Sequence, residues 1–299
     1  MALSDHSPTA PARAVLAVAS NKGGVGKTFV STNLAVTLRA LHEDLPVTVI
    51  GLDDQLGIDR MFGFVPPDPL APNLKHAFSE RNLDRVRTLG EYGIHFVPSP
   101  PDTGPLKARA RDPRILRGMI DRSEQGGLYL LDCKSDLEAL TRSALVAADG
   151  VIVPVADGAS LDQAGKVFDL LERDGGRPGR GRVLLTLIDR RTRIDRAGRD
   201  LHDRLVDEVD ARGWSRFSAV LSRSPRVEAL QSGAARPRPV LHGGKGTAVH
   251  RQLRELAEEV TKWLGLEALG PAPRTPLPER AASPPPVAVK RSLLGRWLG

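Results

Sequence analysis

Cysteine and aromatic residues are scarce in this chain: 299 residues contain one cysteine, two tyrosines and three tryptophans, and only 4% are aromatic. The single Cys133 excludes a disulfide framework and any cysteine-ligated metal cluster contained in one chain, and it fits a reducing compartment. Long apolar runs are missing as well. Near the N-terminus the only apolar stretch is residues 14–19, far short of a membrane span and without the layout of a secretory leader, so a cytoplasmic protein is expected. No internal repeat is visible. An acidic surplus is also absent: 43 Lys and Arg against 36 Asp and Glu leave a net charge of +7, which favours nucleic acid or an acidic lipid surface without choosing between them.

What is present suffices for one large α/β core with short appendages, since 40% of the residues are hydrophobic. Short apolar runs alternate with longer amphipathic stretches. The expected strands are residues 14–19, 47–52, 94–98, 128–132, 150–155, 182–188 and 217–221, with helical stretches between most of them. That alternation predicts a mostly parallel, twisted sheet flanked by helices on both faces, with ligands at the carboxyl ends of the strands. Residues 1–12 read as a loose lead-in, 13–269 as the folded domain and 66–73 as a Pro-rich rim loop. In 246–264, Val249, Leu253, Leu256, Val260 and Leu264 recur at helical spacing and predict a final docking helix.

The chain is organised around Ser20 to Thr28, SNKGGVGKT, between an apolar run and a helical-looking segment. Gly23, Gly24 and Gly26 let backbone N–H groups turn inward around phosphate oxygens, and the following helix presents its positive end to the same anion. Lys27 is placed to reach the β- and γ-phosphates, and Thr28 to offer its hydroxyl to Mg²⁺. The strict pattern G-x-x-x-x-G-K-[ST] is missed, because Asn21 stands at its first glycine and is followed by Lys22.

KGGVGKT with its early lysine resembles the deviant Walker A motif of the ParA/MinD family of positioning ATPases. The resemblance implies a P-loop NTPase fold, ATP and Mg²⁺ as cofactors, and slow, partner-stimulated hydrolysis. It also implies an ATP-dependent homodimer in which Lys22 crosses to the nucleotide of the second subunit. The implied nucleotide contacts are Gly23, Gly24, Val25, Gly26, Lys27, Thr28 and Phe29. Residues 47–63, VTVIGLDDQLGIDRMFG, resemble the segment D-x-D-P-Q-G; Asp53 matches the aspartate that orients the attacking water, Gly51 replaces the first aspartate and Asp54 the proline. Asp132, closing an apolar run, resembles the Walker B aspartate, so the implied metal set is Thr28, Asp53 and Asp132. Relatives continue with Pro-Pro or Pro-Ala-Gly, but here Lys134 and Ser135 follow, and that lysine can pair with phosphate, with a carboxylate or with water. Asp189 and Arg190 match the segment near the adenine. Arg223 and Arg226 match arginines that nucleoid-binding relatives use on DNA phosphates; a solvated basic edge is the alternative for them and for the run from Lys107 to Arg117.

After Gly270 the composition turns proline-rich, and residues 270–287 read as an extended, disordered linker. It delivers residues 288–299, where Leu293, Leu294, Trp297 and Leu298 form one helical apolar stripe edged by Lys290, Arg291 and Arg296. This short amphipathic segment resembles the membrane-targeting tail of MinD, although docking on the protein's own body or on a partner helix would use the same stripe. Three functions follow as expectations. The first is a dimerising switch ATPase that positions or segregates cargo, a division or flagellar site for example, peripheral on the inner membrane and served by an activating or cargo-adaptor protein. The second is a nucleoid-binding partition ATPase, and the third a weakly hydrolysing nucleotide-binding scaffold. Other relatives fit less well, because an iron–sulfur reductase component needs ligand cysteines and a bacterial tyrosine kinase a terminal tyrosine cluster.

Overall fold

The first strand, β1 (Arg13–Val18), is apolar from Ala14 onward because both of its faces are covered there: Val15 and Ala17 enter one core, while Ala14, Leu16 and Val18 enter the other. In the computed structural model, which describes residues 12–64, 68, 70–175, 179–189, 200–231 and 236–269, β1 lies inside a seven-stranded sheet. The other strands are β2 (Val47–Gly51), β3 (Thr88–Leu89), β4 (His95–Val97), β5 (Gly127–Asp132), β6 (Gly150–Val155) and β7 (Gly181–Leu185). Their order is β3-β4-β2-β5-β1-β6-β7, and every pairing is parallel except β3 with β4.

Parallel neighbours need crossover segments, and helices supply them on both faces. One layer holds α1 (Lys27–Leu41), α2 (Gly57–Phe62), α9 (Pro225–Gln231), α10 (Val240–Gly243) and α11 (Ala248–Leu264). The opposite layer holds α3 (Leu74–Glu80), α4 (Gly104–Arg109), α5 (Ile115–Asp121), α6 (Ala139–Ala147), α7 (Gly158–Gly175) and α8 (Leu201–Ala211). The expected docking helix is α11, capped by the Thr247 hydroxyl on the His250 N–H and ended by Gly265 at φ 62°. It buries Val249, Leu253, Leu256 and Val260 in the core between this layer and the sheet, beside α1, each contributing roughly 1.5–3 kcal/mol by removal from water. Among the described residues no helix is long and apolar enough to cross a membrane.

Two expectations about strands need correction. Residues 217–221 form no strand: they run beside β7 through isolated parallel bridges, Val183 with Arg216 and Ile188 with Ser222. The physical reason is competition from α11, whose Glu259 takes the Ser218 and Ala219 N–H groups at 2.9 and 2.7 Å while Gln252 takes that of Ser222 at 2.9 Å. β7 also stops at Leu185, because Leu187 turns to φ 56° and Thr186 donates its hydroxyl to the Val25 carbonyl at 2.9 Å. The two-residue antiparallel β3 was too short to leave a periodic signal. Arg190, and the linker and tail from residue 270 onward, lie outside the described residues.

Candidate active site

Strands β2, β5, β1 and β6 are consecutive neighbours, so the segments that leave their carboxyl ends converge on one rim. The segment after β1 is the glycine-rich loop that opens α1. Gly24 and Gly26 adopt φ 75° and 86°, a region closed to most L-residues, and no atom lies within 4 Å of the place a Cβ would occupy at either. Backbone conformation, and not crowding, therefore requires glycine there. The loop is tied down by the Thr186 contact and by the Asn21 amide, which donates to Gln163 Oε1 at 2.7 Å.

Lys27 points back into this loop, only 7% exposed, donating from Nζ to the Lys22 carbonyl at 3.0 Å and to Ser135 Oγ at 2.6 Å. Burial lowers its pKa, with Asp132, Cys133, Asp53 and Asp136 pulling the other way. One residue on, the Thr28 hydroxyl donates to Asp132 Oδ2 at 2.7 Å, and one turn later the Ser31 hydroxyl donates to Oδ1 at 2.9 Å. Asp132 closes β5 and is 2% exposed; burial pushes its carboxyl up to about 6 despite both hydroxyls and Lys27.

Asp53 follows β2, which pairs with β5 at Gly51 and Asp132. Its Oδ1 is buried without a hydrogen-bond partner, and burial, then Asp54, raise its pKa. It shares a cleft of 260 Å³ with Thr28, Phe29, Gly57, Ser99 and Asp132. Gly51 has a steric cause, since a Cβ there would stand 2.8 Å from Ser99 Oγ and 3.1 Å from Ile58 Cγ1. Asp59 instead brings a buried carboxylate to this strand end, accepting the Ser99 N–H at 3.1 and 3.2 Å. Asp54, the residue after Asp53, pairs with Lys134 at 3.0 Å, which answers the open question about that lysine: its partner is a carboxylate.

Lys22 stands at the rim with Nζ between both oxygens of Asp157, at 2.8 and 2.7 Å. Asp157 follows β6 and also accepts the Ser160 N–H at 2.7 Å. Partial burial alone would raise its carboxyl, but the bonds from Lys22 and Ser160 outweigh it and the net shift is downward. Asp189 lies half-buried just past the bridge at Ile188. Arg223 and Arg226 are exposed on the α9 edge, Arg223 paired with Glu228 at 3.0 Å and Arg226 donating to the Gly243 carbonyl at 3.5 Å. The run from Lys107 is partly absorbed into the fold, because Lys107 pairs with Glu138 and Arg117 with Asp121 and Asp149.

The residues fit a triphosphate and a hard divalent cation. A buried amine with neutral partners beside a glycine loop at positive φ suits an anion, and two hydroxyls on one buried carboxylate with an orphaned Asp53 oxygen make an all-oxygen set for a cation. A family model for an AAA domain matches residues 13–165. The chromosome-partitioning ATPase Soj of Thermus thermophilus is 34% identical over 192 residues, covering 59% of this chain and 70% of that protein. The chain belongs to the ParA/MinD family of P-loop ATPases. The Caulobacter vibrioides chromosome partitioning protein ParA is 28% identical over 260 residues, 82% of this chain and 93% of that one. The Pyrococcus horikoshii septum site-determining protein MinD, solved with Mg-ADP, superposes with a TM-score of 0.65 at 21% identity over 86% of this chain and 99% of that one.

Sequence reasoning missed Ser31 and Asp157, and it noted Ser135 only as a departure from the motif, without its contact to Lys27. Ser31 had a readable signal, lying one helical turn beyond Thr28 on the same face, and Asp157 had another as an acidic residue just past an expected buried strand. Leu56 had none. It takes φ 55° where the pattern D-x-D-P-Q-G carries glycine, a strain of roughly 1–2 kcal/mol beside Asp53.

Proposed function

We infer that the chain is an ATP-dependent dimerising switch that positions or segregates cellular cargo by binding a surface in one nucleotide state and leaving it in the other. The observation that carries this reading is the convergence of Lys27, Thr28, Asp132 and Asp53 on one rim, with Lys22 at its edge beyond them. In the reaction, Lys27 and the amides of the glycine loop would hold the β- and γ-phosphates, and Thr28 with Asp132 and Asp53 would hold Mg²⁺. The cation supplies charge neutralisation of the phosphate oxygens. Asp53 accepts a proton from, or orients, the water that attacks the γ-phosphorus as the bond to the β–γ bridging oxygen breaks and ADP leaves with that oxygen, and its unpartnered oxygen suits that task. Lys22 leaves Asp157 and reaches the nucleotide of the second copy, so dimer formation and breakage of one ion pair are the same event. Hydrolysis is slow until a partner protein engages.

The working surface is anionic, and the residue pattern of 288–299 favours the inner membrane. Two tails in one dimer bind together through high effective concentration, which links membrane residence to nucleotide state. The exposed Arg223 and Arg226, with the chromosome-partitioning relatives, favour the nucleoid as a second reading. Co-sedimentation of the intact chain and of a form ending at Ser283, with vesicles containing anionic lipid and separately with DNA, each with ADP and with ATP, separates the two. ATP-dependent vesicle binding that is lost on truncation is the expected result. DNA binding alone, indifferent to truncation and lost when Arg223 and Arg226 are replaced, would move the protein to the nucleoid. Binding to neither surface in any nucleotide would remove the switch reading.

A further inference from the structure

Two departures from the family's motifs face each other. Asp54 stands where D-x-D-P-Q-G has its proline, and Lys134 stands where a proline follows the Walker B aspartate. A proline at each place fixes φ and stiffens its own loop, and without them both loops gain freedom where the cleft needs the least. In this chain Lys134 Nζ instead donates to Asp54 Oδ2 at 3.0 Å, and the Thr103 hydroxyl reaches the same oxygen at 3.4 Å. The bond links loops that leave the neighbouring strands β2 and β5, eighty positions apart in sequence. Each end sits next to a residue of the cleft. Asp54 follows Asp53; Lys134 lies two residues after Asp132 and precedes Ser135, whose hydroxyl holds Lys27.

The geometry points to Lys134 and Asp54 as a positioning pair for hydrolysis, a cross-link that replaces two prolines and fixes Asp53 relative to Asp132 and Lys27. This inference rests on the ATPase reading above. Neither residue touches the phosphates in this role; the pair acts through Asp53, so the turnover step depends on it and nucleotide capture does not. Both side chains are about one-third exposed, 31% for Lys134 and 33% for Asp54, so the link is worth what a partly screened ion pair is worth, and its effect on rate is correspondingly moderate.

The test compares full-length wild type with Lys134→Met, Lys134→Arg, Asp54→Asn and the Lys134→Met/Asp54→Asn double variant, using Lys27→Ala as background. Turnover and KM for ATP are measured together with the Kd of a fluorescent ATP analogue and the melting temperature. Each neutralising single variant is expected to lose about fivefold in kcat, a loss of the size that one such pair supplies. KM and analogue Kd stay within about twofold, because capture by the glycine loop is untouched. The double variant is no slower than the slower single, as two halves of one link require, and Lys134→Arg recovers most of the rate. Singles with unchanged kcat, or losses that multiply in the double variant, would overturn the pair while leaving the ATPase reading standing. So would a rate loss matched by a comparable loss of analogue affinity and melting temperature. Wild type that turns over no ATP above Lys27→Ala would remove the ATPase reading, and the pair's role in hydrolysis with it.

Discussion

The carboxyl of Asp132 is the most consequential buried charge in the site, and Asp132→Asn tests it quantitatively. Its pKa rises from 3.8 to about 6 on folding because burial outweighs the bonds from Thr28 and Ser31. A group whose pKa is higher in the folded state binds its proton more tightly there. Its contribution to stability is complete below pH 3.8 and is lost as pH rises through about 6. At about 1.4 kcal/mol per pH unit, a shift of this size amounts to roughly 3 kcal/mol at pH 7.5 in the absence of Mg²⁺. Asparagine removes the charge but is a poorer acceptor for two hydroxyls, so the net gain at pH 7.5 is about 1–3 kcal/mol. Each kcal/mol moves the melting midpoint by roughly 2–4 °C in a domain of this size. Melting in EDTA from pH 4.5 to 7.5 is the assay. Wild type loses stability toward pH 7.5 more steeply than the variant; a residual slope remains in the variant because burial also raises Asp53 and Asp59. Mg²⁺ raises the wild-type midpoint at pH 7.5 and leaves that of the variant unchanged. Equal pH slopes for the two proteins, or a variant less stable than wild type at pH 7.5 without metal, would refute the reasoning.

Lys27→Ala removes the buried amine on Ser135 and is expected to abolish binding of a fluorescent ATP analogue; undiminished affinity would contradict the phosphate assignment. Asp157→Ala frees Lys22 and should raise the dimer fraction at limiting ATP, read by analytical ultracentrifugation, whereas an unchanged or lower fraction would show that the ion pair does not compete with dimerisation. Leu56→Gly relieves a left-handed residue and should stabilise the protein by about 0.5–1 kcal/mol in thermal melts, less than the full strain because glycine loosens the unfolded chain; a drop in midpoint would mean that side-chain packing dominates there.

The parts of the site most legible in the sequence were those fixed by backbone geometry. The glycine loop needs positive φ at Gly24 and Gly26, and only glycine supplies it cheaply, so the pattern survives in letters. Asp132 was legible because a carboxylate ending an apolar run marks the carboxyl edge of a buried strand. Gly51 and Ser99 were opaque for the opposite reason: their contact is set by the packing of β2 against α2 and the segment after β4, which no local pattern encodes. The failed strand at 217–221 shows the same limit. Its residues have strand propensity, but the deciding groups, Gln252 and Glu259, lie on a helix thirty or more positions away. Lys134 was recognisable as a departure, yet its partner Asp54 became visible only once β2 and β5 were known to be neighbours.

The central claim is that ATP closes a dimer through Lys22. Its most direct test is the solution mass, by light scattering after size exclusion, of an Asp53→Ala variant with Mg-ATP and with Mg-ADP, beside the same variant carrying Lys22→Ala. The account predicts twice the 32.2 kDa chain mass with ATP, the single chain mass with ADP, and the single chain mass with either nucleotide once Lys22 is replaced. A dimer that persists without Lys22, or a monomer in ATP while ATP binding is intact, would contradict it.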